Sequence, residues 1–282
     1  MPRIDAHQHF WKFDPIRDTW ITDEMSLLRK DFLPSEFHLL LKQNSFDGCV
    51  TVQSDQSEDE NIFQLTNAAE YDFIKGFVGW VDFQAKNIRE KLSYYTQFKK
   101  LKGFRHILQG ETQRDLMLQP KFLRGIDALK EFKYTYDILI YPDQLGFIKQ
   151  FVAQLPQQKF VIDHLAKPYI KDRKIEDWKK DIEQVAEYKN VFCKISGYIT
   201  EADWKNWKKE DFIPYFDVIV NSFGTDRILF GSDWPVCLLG GEYNVAVNIA
   251  KEYFLSFTLN EQDKIFGDNA IKFLCKLAIK FS

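Results

Sequence analysis

The chain has 282 residues, 45% hydrophobic, 16% aromatic and 28% charged, with a mean hydropathy of −0.35. Such a chain buries a sizeable core and is not disordered, and its apolar runs fall far short of the ~18 residues of a membrane span. With 38 Lys and Arg against 41 Asp and Glu, the net charge of −3 offers no field that recruits nucleic acid or an anionic membrane, so a small-molecule ligand is expected.

The first β-branched, aromatic-rich run spans residues 3–9, which leaves no room for a signal peptide and points to the cytoplasm. Comparable runs follow at 48–53, 75–82, 103–107, 136–141, 159–164, 191–196 and 227–233. Amphipathic stretches of helical period lie between them, among them 34–43, 62–71, 143–153 and 178–188. No Pro/Gly-rich linker divides the chain, so residues 1–282 are expected to form one domain. Eight strands alternating with helices predict an α/β protein of the (β/α)8 TIM-barrel class. A doubly wound sheet is the rival, but no GxGxxG or GxxxxGK[ST] is present to support it. Cys49, Cys193, Cys237 and Cys275 are scattered without CxxC spacing and read as free thiols.

Four of the five histidines, His7, His9, His106 and His164, fall at or near C-terminal strand ends, where a barrel carries its active site. Gln53, Asp82, Tyr141 and Asp233 end further strands, while His38 lies on a helix. Alternation along a strand puts His7 and His9 on one face and Ile4 and Ala6 on the other, so the pair is predicted to point inward with Ile4 and Ala6 under the helices. By the same rule His164 is the better inward candidate and Asp163 faces away. Only one of Arg105 and His106 can enter the barrel. Lys194 is an odd residue for mid-strand, placed either to pair with an acid low in the barrel or to reach the site. Trp11, Trp20, Trp204, Trp207 and Trp234 fall in predicted βα loops, where rings wall a pocket or pin the loop. The long first loop, 10–33, is a lid candidate.

These residues resemble the amidohydrolase superfamily, whose barrels open with HxH on the first strand and carry one Asp after the eighth. The closer resemblance is to its sugar-lactonase branch, the L-fuconolactonase and L-rhamnonolactonase type, related to 2-pyrone-4,6-dicarboxylate lactonase. It rests on IDAHQHFW (4–11), RDFLP (29–34, with Lys30 inserted), VGWVDF (78–83), GFRH (103–106), DHLAKP (163–168), CKISG (193–197), TEADW (200–204) and FGSDWPVC (230–237). The resemblance implies hydrolysis of an aldono-1,4- or 1,5-lactone without a required cofactor. Strand four offers Arg105 and His106 where binuclear members carry a bridging Lys or Glu, and strand five ends in Tyr141 where they carry His.

The expected catalytic set is therefore Asp233 as general base with His7, His9 and His164 polarising the carbonyl, each good donor being worth about 10²–10³ in rate. Arg105, His106, Tyr141, Gln53, Trp234 and Trp11 are the expected substrate contacts. If a metal is bound, one Zn²⁺ on His7, His9, His164 and Asp233 is the alternative, as in a decarboxylase resembling aminocarboxymuconate semialdehyde decarboxylase. A non-catalytic sugar-acid-binding barrel is the rival of another class.

Overall fold

A computed structural model describes residues 1–274. Eight parallel strands form one sheet in sequence order: β1 (Ile4–Gln8), β2 (Gly48–Val52), β3 (Ile74–Gly79), β4 (Leu101–Ile107), β5 (Thr135–Leu139), β6 (Phe160–Ile162), β7 (Val191–Ile195) and β8 (Ile228–Phe230). The ring closes just beyond β8, where Asp233 N donates to His7 O at 2.8 Å and His9 N to Trp234 O at 2.7 Å. The helices α1 (Pro34–Gln43), α2 (Glu58–Glu70), α3 (Ile88–Tyr95), α4 (Pro120–Leu129), α5 (Leu145–Gln154), α6 (Glu176–Ala186), α7 (Ile213–Phe223) and α8 (Tyr243–Phe254) follow the strands in turn, completing a (β/α)8 barrel. Two short helices, α9 (Leu259–Asp263) and α10 (Asn269–Leu274), come last.

Local chemistry sets the helix starts. Pro34 opens α1 as expected, its missing N–H costing nothing in the first turn. Helix α2 begins four residues before the predicted 62, because the Ser57 hydroxyl caps Glu60 N and three acids fill the first turn. Its apolar periodicity starts later than its cap.

The core has two layers. Phe104, Phe122, Phe151 and Phe160, among many rings, fill the space between sheet and helices. Inside the barrel, Ile4, Ala6, Val50, Val78, Val161 and Leu229 form an apolar floor packed against Phe273 of α10. Ile4 and Ala6 thus lie inside the barrel rather than under the helices. The reason is a bulge: Asp5 pairs with Cys49 but Gln8 with Thr51, so β1 carries one extra residue and both Ala6 and His7 turn inward.

Cys49, Cys193 and Cys237 are buried free thiols, and Cys275 lies outside the described residues. Among the described residues no helix is long and apolar enough to cross a membrane.

Candidate active site

Above the apolar floor the inward positions change character. Arg105 on β4, Asp137 on β5 and Lys194 on β7 are all buried and inward-facing, and Asp163 joins them one residue past β6. Lys194 Nζ stands 2.5 Å from Asp137 Oδ2 and 3.0 Å from Asp163 Oδ1, while Arg105 Nη1 stands 3.1 Å from Asp163 Oδ2. The two cations balance the two carboxylates. Burial would push the Lys194 ammonium down, but Asp137 and Asp163 outweigh it and keep it charged. Burial would likewise raise Asp163, yet Lys194, His7 and Arg105 hold it well below the usual carboxylate range. Asp163 therefore points inward, against the alternation expected for it. Counting from inward Val161, it is the residue that belongs inside.

His164 arrives by another route. Residues His164, Leu165, Ala166 and Lys167 all have positive φ, a left-handed turn that costs roughly 1–2 kcal/mol per residue. The turn is held by Lys167 N donating to His164 O at 2.6 Å and by Trp178 Nε1 donating to Leu165 O at 2.7 Å. It swings the imidazole over the barrel axis, where its Nδ1 lies 2.9 Å from Ser196 Oγ. Asp233 is also left-handed, with φ 59°. Strain of this kind is concentrated where geometry must be forced.

Three imidazoles converge on one carboxylate oxygen. Asp233 Oδ1 is 3.3 Å from His9 Nε2 and 3.8 Å from both His7 Nε2 and His164 Nε2. His7 Nε2 and His9 Nε2 are themselves 3.2 Å apart. The His9 Nδ1 proton goes to Val52 O at 2.7 Å, since a carbonyl can only accept. Its Nε2 therefore offers a lone pair, so a neutral His9 is an acceptor towards the cavity and not the carbonyl donor expected of it. Burial pushes His7 and His164 well below their ordinary value, leaving both neutral. Burial would raise Asp233, but His164, His9 and the Lys167 ammonium together outweigh it and hold the carboxyl below its usual value.

His9, His164 and Asp233 floor a solvent-open cavity of about 180 Å³, with Trp11, Trp20, Arg105 and Lys167 among its walls. Ile107, Leu139 and Val236 make it partly apolar. Lys167 lines the wall and pairs with Glu201 at 3.0 Å. Tyr141 stands at the rim, 39% exposed, its ring 5.6 Å from Lys167 Nζ.

Three expected substrate contacts lie elsewhere. His106 faces the helices, held between Trp80 Nε1 and Glu111 Oε1 and packed on Phe122, because Arg105 takes the inward position. Trp234 is core: its ring stacks on Phe37 at 4.8 Å and meets Phe10 and Phe32 edge-on. Gln53 sits behind Arg105, its carbonyl accepting from Nη2 and its amide donating to Arg105 O. Trp204 and Trp207 pin their own loops through Thr200 O and Gly240 O. The first loop is also anchored, by a two-way backbone pairing of Trp11 with Phe32 and by Trp11 Nε1 on Lys30 O. Asp137 was missed from the sequence, although an acid among the apolar residues of β5 was the available signal.

The donor set suits a single divalent cation. His7, His164 and Asp233 offer ligand atoms within 4.8 Å of one another, and His9 Nε2 adds a fourth. Spacings of 3.2–3.8 Å match the roughly 3.3 Å edge implied by tetrahedral Zn–N bonds near 2.0–2.1 Å. His9 Nε2 and Asp233 Oδ1 stand 3.3 Å apart, close enough for a proton or a cation to join them.

An HxH pair at the end of β1, a His past β6 and an Asp past β8, gathered at the mouth of a (β/α)8 barrel, are the arrangement that the resemblance to amidohydrolases predicts. The amidohydrolase family model matches residues 4–275, and the chain belongs to that family. Within it the protein belongs with the sugar lactonases, enzymes that act on a cyclic ester. It is 32% identical to an L-fucono-1,5-lactonase of Burkholderia multivorans over 96% of this chain and 95% of that one. It is 26% identical to an L-rhamnono-gamma-lactonase of Scheffersomyces stipitis over 63% and 60% of the two chains. A crystal structure of an amidohydrolase from Burkholderia multivorans with bound zinc superposes with a TM-score of 0.93 at 32% identity, covering 96% of this chain and 98% of that one.

Proposed function

We propose that the protein hydrolyses an aldonolactone, with L-fucono-1,5-lactone as the first substrate to test and Asp233 as the general base. One observation carries this reading: a buried carboxylate, held below its usual pKa, faces three imidazole nitrogens at the floor of a solvent-open cavity. A water on Asp233 gives up its proton as its oxygen attacks the lactone carbonyl carbon. The charge that develops on the carbonyl oxygen is met by the guanidinium of Arg105 and by imidazole N–H groups. The tetrahedral adduct then collapses, the ring C–O bond breaks, and Asp233 returns the proton to the departing alkoxide. The product is an open-chain hydroxy acid, whose carboxyl group then releases a proton to solvent, the proton the indicator reads.

A second reading is supported by the donor spacing and by the zinc in the Burkholderia amidohydrolase. A divalent ion held by His7, His9, His164 and Asp233 would polarise the carbonyl and acidify water.

The experiment is lactone hydrolysis by pH indicator on six-carbon, 6-deoxy and five-carbon aldonolactones, after chelation and again with added Zn²⁺. Turnover well above the spontaneous rate in chelator supports the reading in which the side chains suffice. Turnover only with Zn²⁺ supports the second. No turnover in either condition overturns the sugar-lactone proposal.

A further inference from the structure

Lys194 is the buried group the hydrolytic steps leave unused. Its ammonium hydrogen-bonds Asp137 Oδ2 at 2.5 Å and His7 Nδ1 at 3.2 Å, and ion-pairs with Asp163 Oδ1 at 3.0 Å. An ammonium has no lone pair, so its contact with His7 makes Nδ1 the acceptor and leaves the proton of the neutral ring on Nε2. That proton then faces the lone pair of His9 Nε2, 3.2 Å away, whose own ring proton is spent on Val52 O. Arg105 Nη1 also approaches His7 Nε2, but at 3.5 Å, and it already bonds Asp163 Oδ2 at 3.1 Å. Of the two groups 3.2 Å from Nδ1, Lys194 Nζ makes an aligned hydrogen bond and Asp163 Oδ1 does not, and that alignment favours the Nε2–H tautomer.

Asp163 supplies the second observation. Its Oδ1 lies 3.2 Å from His7 Nδ1, yet this buried oxygen has no hydrogen bond of acceptable angle. A carboxylate oxygen at that distance with no hydrogen bond of its own is the acceptor for the opposite tautomer, in which Nδ1 carries the proton and Nε2 is free to ligate a cation.

We propose that Lys194 and Asp163 form a tautomer selector for His7: Lys194 holds it as an Nε2–H donor, and when a metal takes Nε2 the single ring proton moves to Nδ1 and is donated as a hydrogen bond to Asp163 Oδ1. Lys194 is thus a positioning residue that works against metal capture, and metal binding requires the His7–Lys194 bond to break. The tautomer assignment does not depend on the lactone reading; only the use of the Nε2 proton on a carbonyl oxygen does.

The test is two-bond ¹H–¹⁵N correlation of the histidine rings in the chelated full-length protein, with His7 assigned by its loss in His7→Gln. The expected spectrum shows His7 protonated on Nε2, moving to Nδ1 when Zn²⁺ is added. A His7 protonated on Nδ1 in the chelated protein overturns the proposal without any variant. Lys194→Met is expected to move the proton to Nδ1 and tighten Zn²⁺ binding at least ~10-fold by competition with a chromogenic chelator. Because that variant strands a buried carboxylate, Lys194→Met with Asp137→Asn is the charge-balanced form to use if the single variant does not fold. Unchanged tautomer and Zn²⁺ affinity in a folded variant overturn the selector, whatever the lactone panel shows.

Discussion

Asp233 is the single side chain on which the proposed chemistry turns. Asp233→Asn keeps the size and the backbone bond to His7 but cannot take a proton from water. We expect kcat to fall at least ~10²-fold with the unfolding temperature nearly unchanged; near-normal turnover would remove Asp233 from the role of base. The pH profile follows from the neighbours. The base is active as an anion, and its pKa lies below the ordinary value, so activity is lost only as pH falls below the usual carboxylate range. Burial keeps His7 and His164 neutral, so neither titrates near neutrality. After subtraction of spontaneous hydrolysis, kcat/KM should be level from about pH 5 to about pH 7. A fall beginning near the histidine value would place a histidine in the base role.

Elements position that residue through their ends rather than their lengths. The turn after β7 shows the constraint most directly. Gly197 has φ 61°, and a Cβ there would come 2.4 Å from His164 Nδ1, the atom that meets Ser196 Oγ. Gly224, in the turn before β8, has φ 64° with nothing within 4 Å of the corresponding Cβ. The two glycines share a backbone penalty and differ in what they crowd. Both Gly→Ala variants should lose about 1 kcal/mol or more of stability by chemical denaturation. Only Gly197→Ala should also lose at least ~10-fold in kcat/KM, because His164 must move. Equal activity in the two variants would mean that His164 is not held where the reaction needs it.

At the scale of the whole barrel, the seam between β8 and β1 carries an electrostatic cost. Asp5 Oδ1 accepts from His7 N and Ser232 N, tying the two strand ends, but burial raises the carboxyl to about 6. Between the ordinary value of 3.8 and about 6 the folded chain binds a proton that the unfolded chain has lost. Stability from this group is therefore present at low pH and falls as pH rises through that window, by roughly 3 kcal/mol in all. Asp5→Asn keeps the Oδ1 acceptor and removes the charge. Its unfolding temperature should exceed that of the wild type at pH 7.5, with the gap closing towards pH 4.5. A variant less stable than wild type at pH 7.5 would refute this account of the seam.

Much of the site was legible because chemistry-bearing residues are rare and fall at strand ends. His7, His9 and Asp233 needed only the eight-fold alternation of strands and helices and the barrel rule that loops open at one end. Periodicity determined the barrel class, and the motif strings determined the lactonase branch. Strand parity was less dependable, because it assumes an unbroken strand. The bulge in β1 let Ala6 and His7 both turn inward, and the left-handed turn after β6 brought His164 inward beside Asp163. Neither departure is encoded by Gly or Pro at the positions concerned. Both are imposed by packing against distant elements, as Trp178 on Leu165 illustrates. The sequence by itself determined the architecture and the reactive residue types. Only the tertiary structure decided that Arg105 enters and His106 does not, that Trp234 is core, and that Lys194 meets Asp137, Asp163 and His7. Those are contacts between strands far apart in the chain, set by closure of the barrel rather than by local pattern.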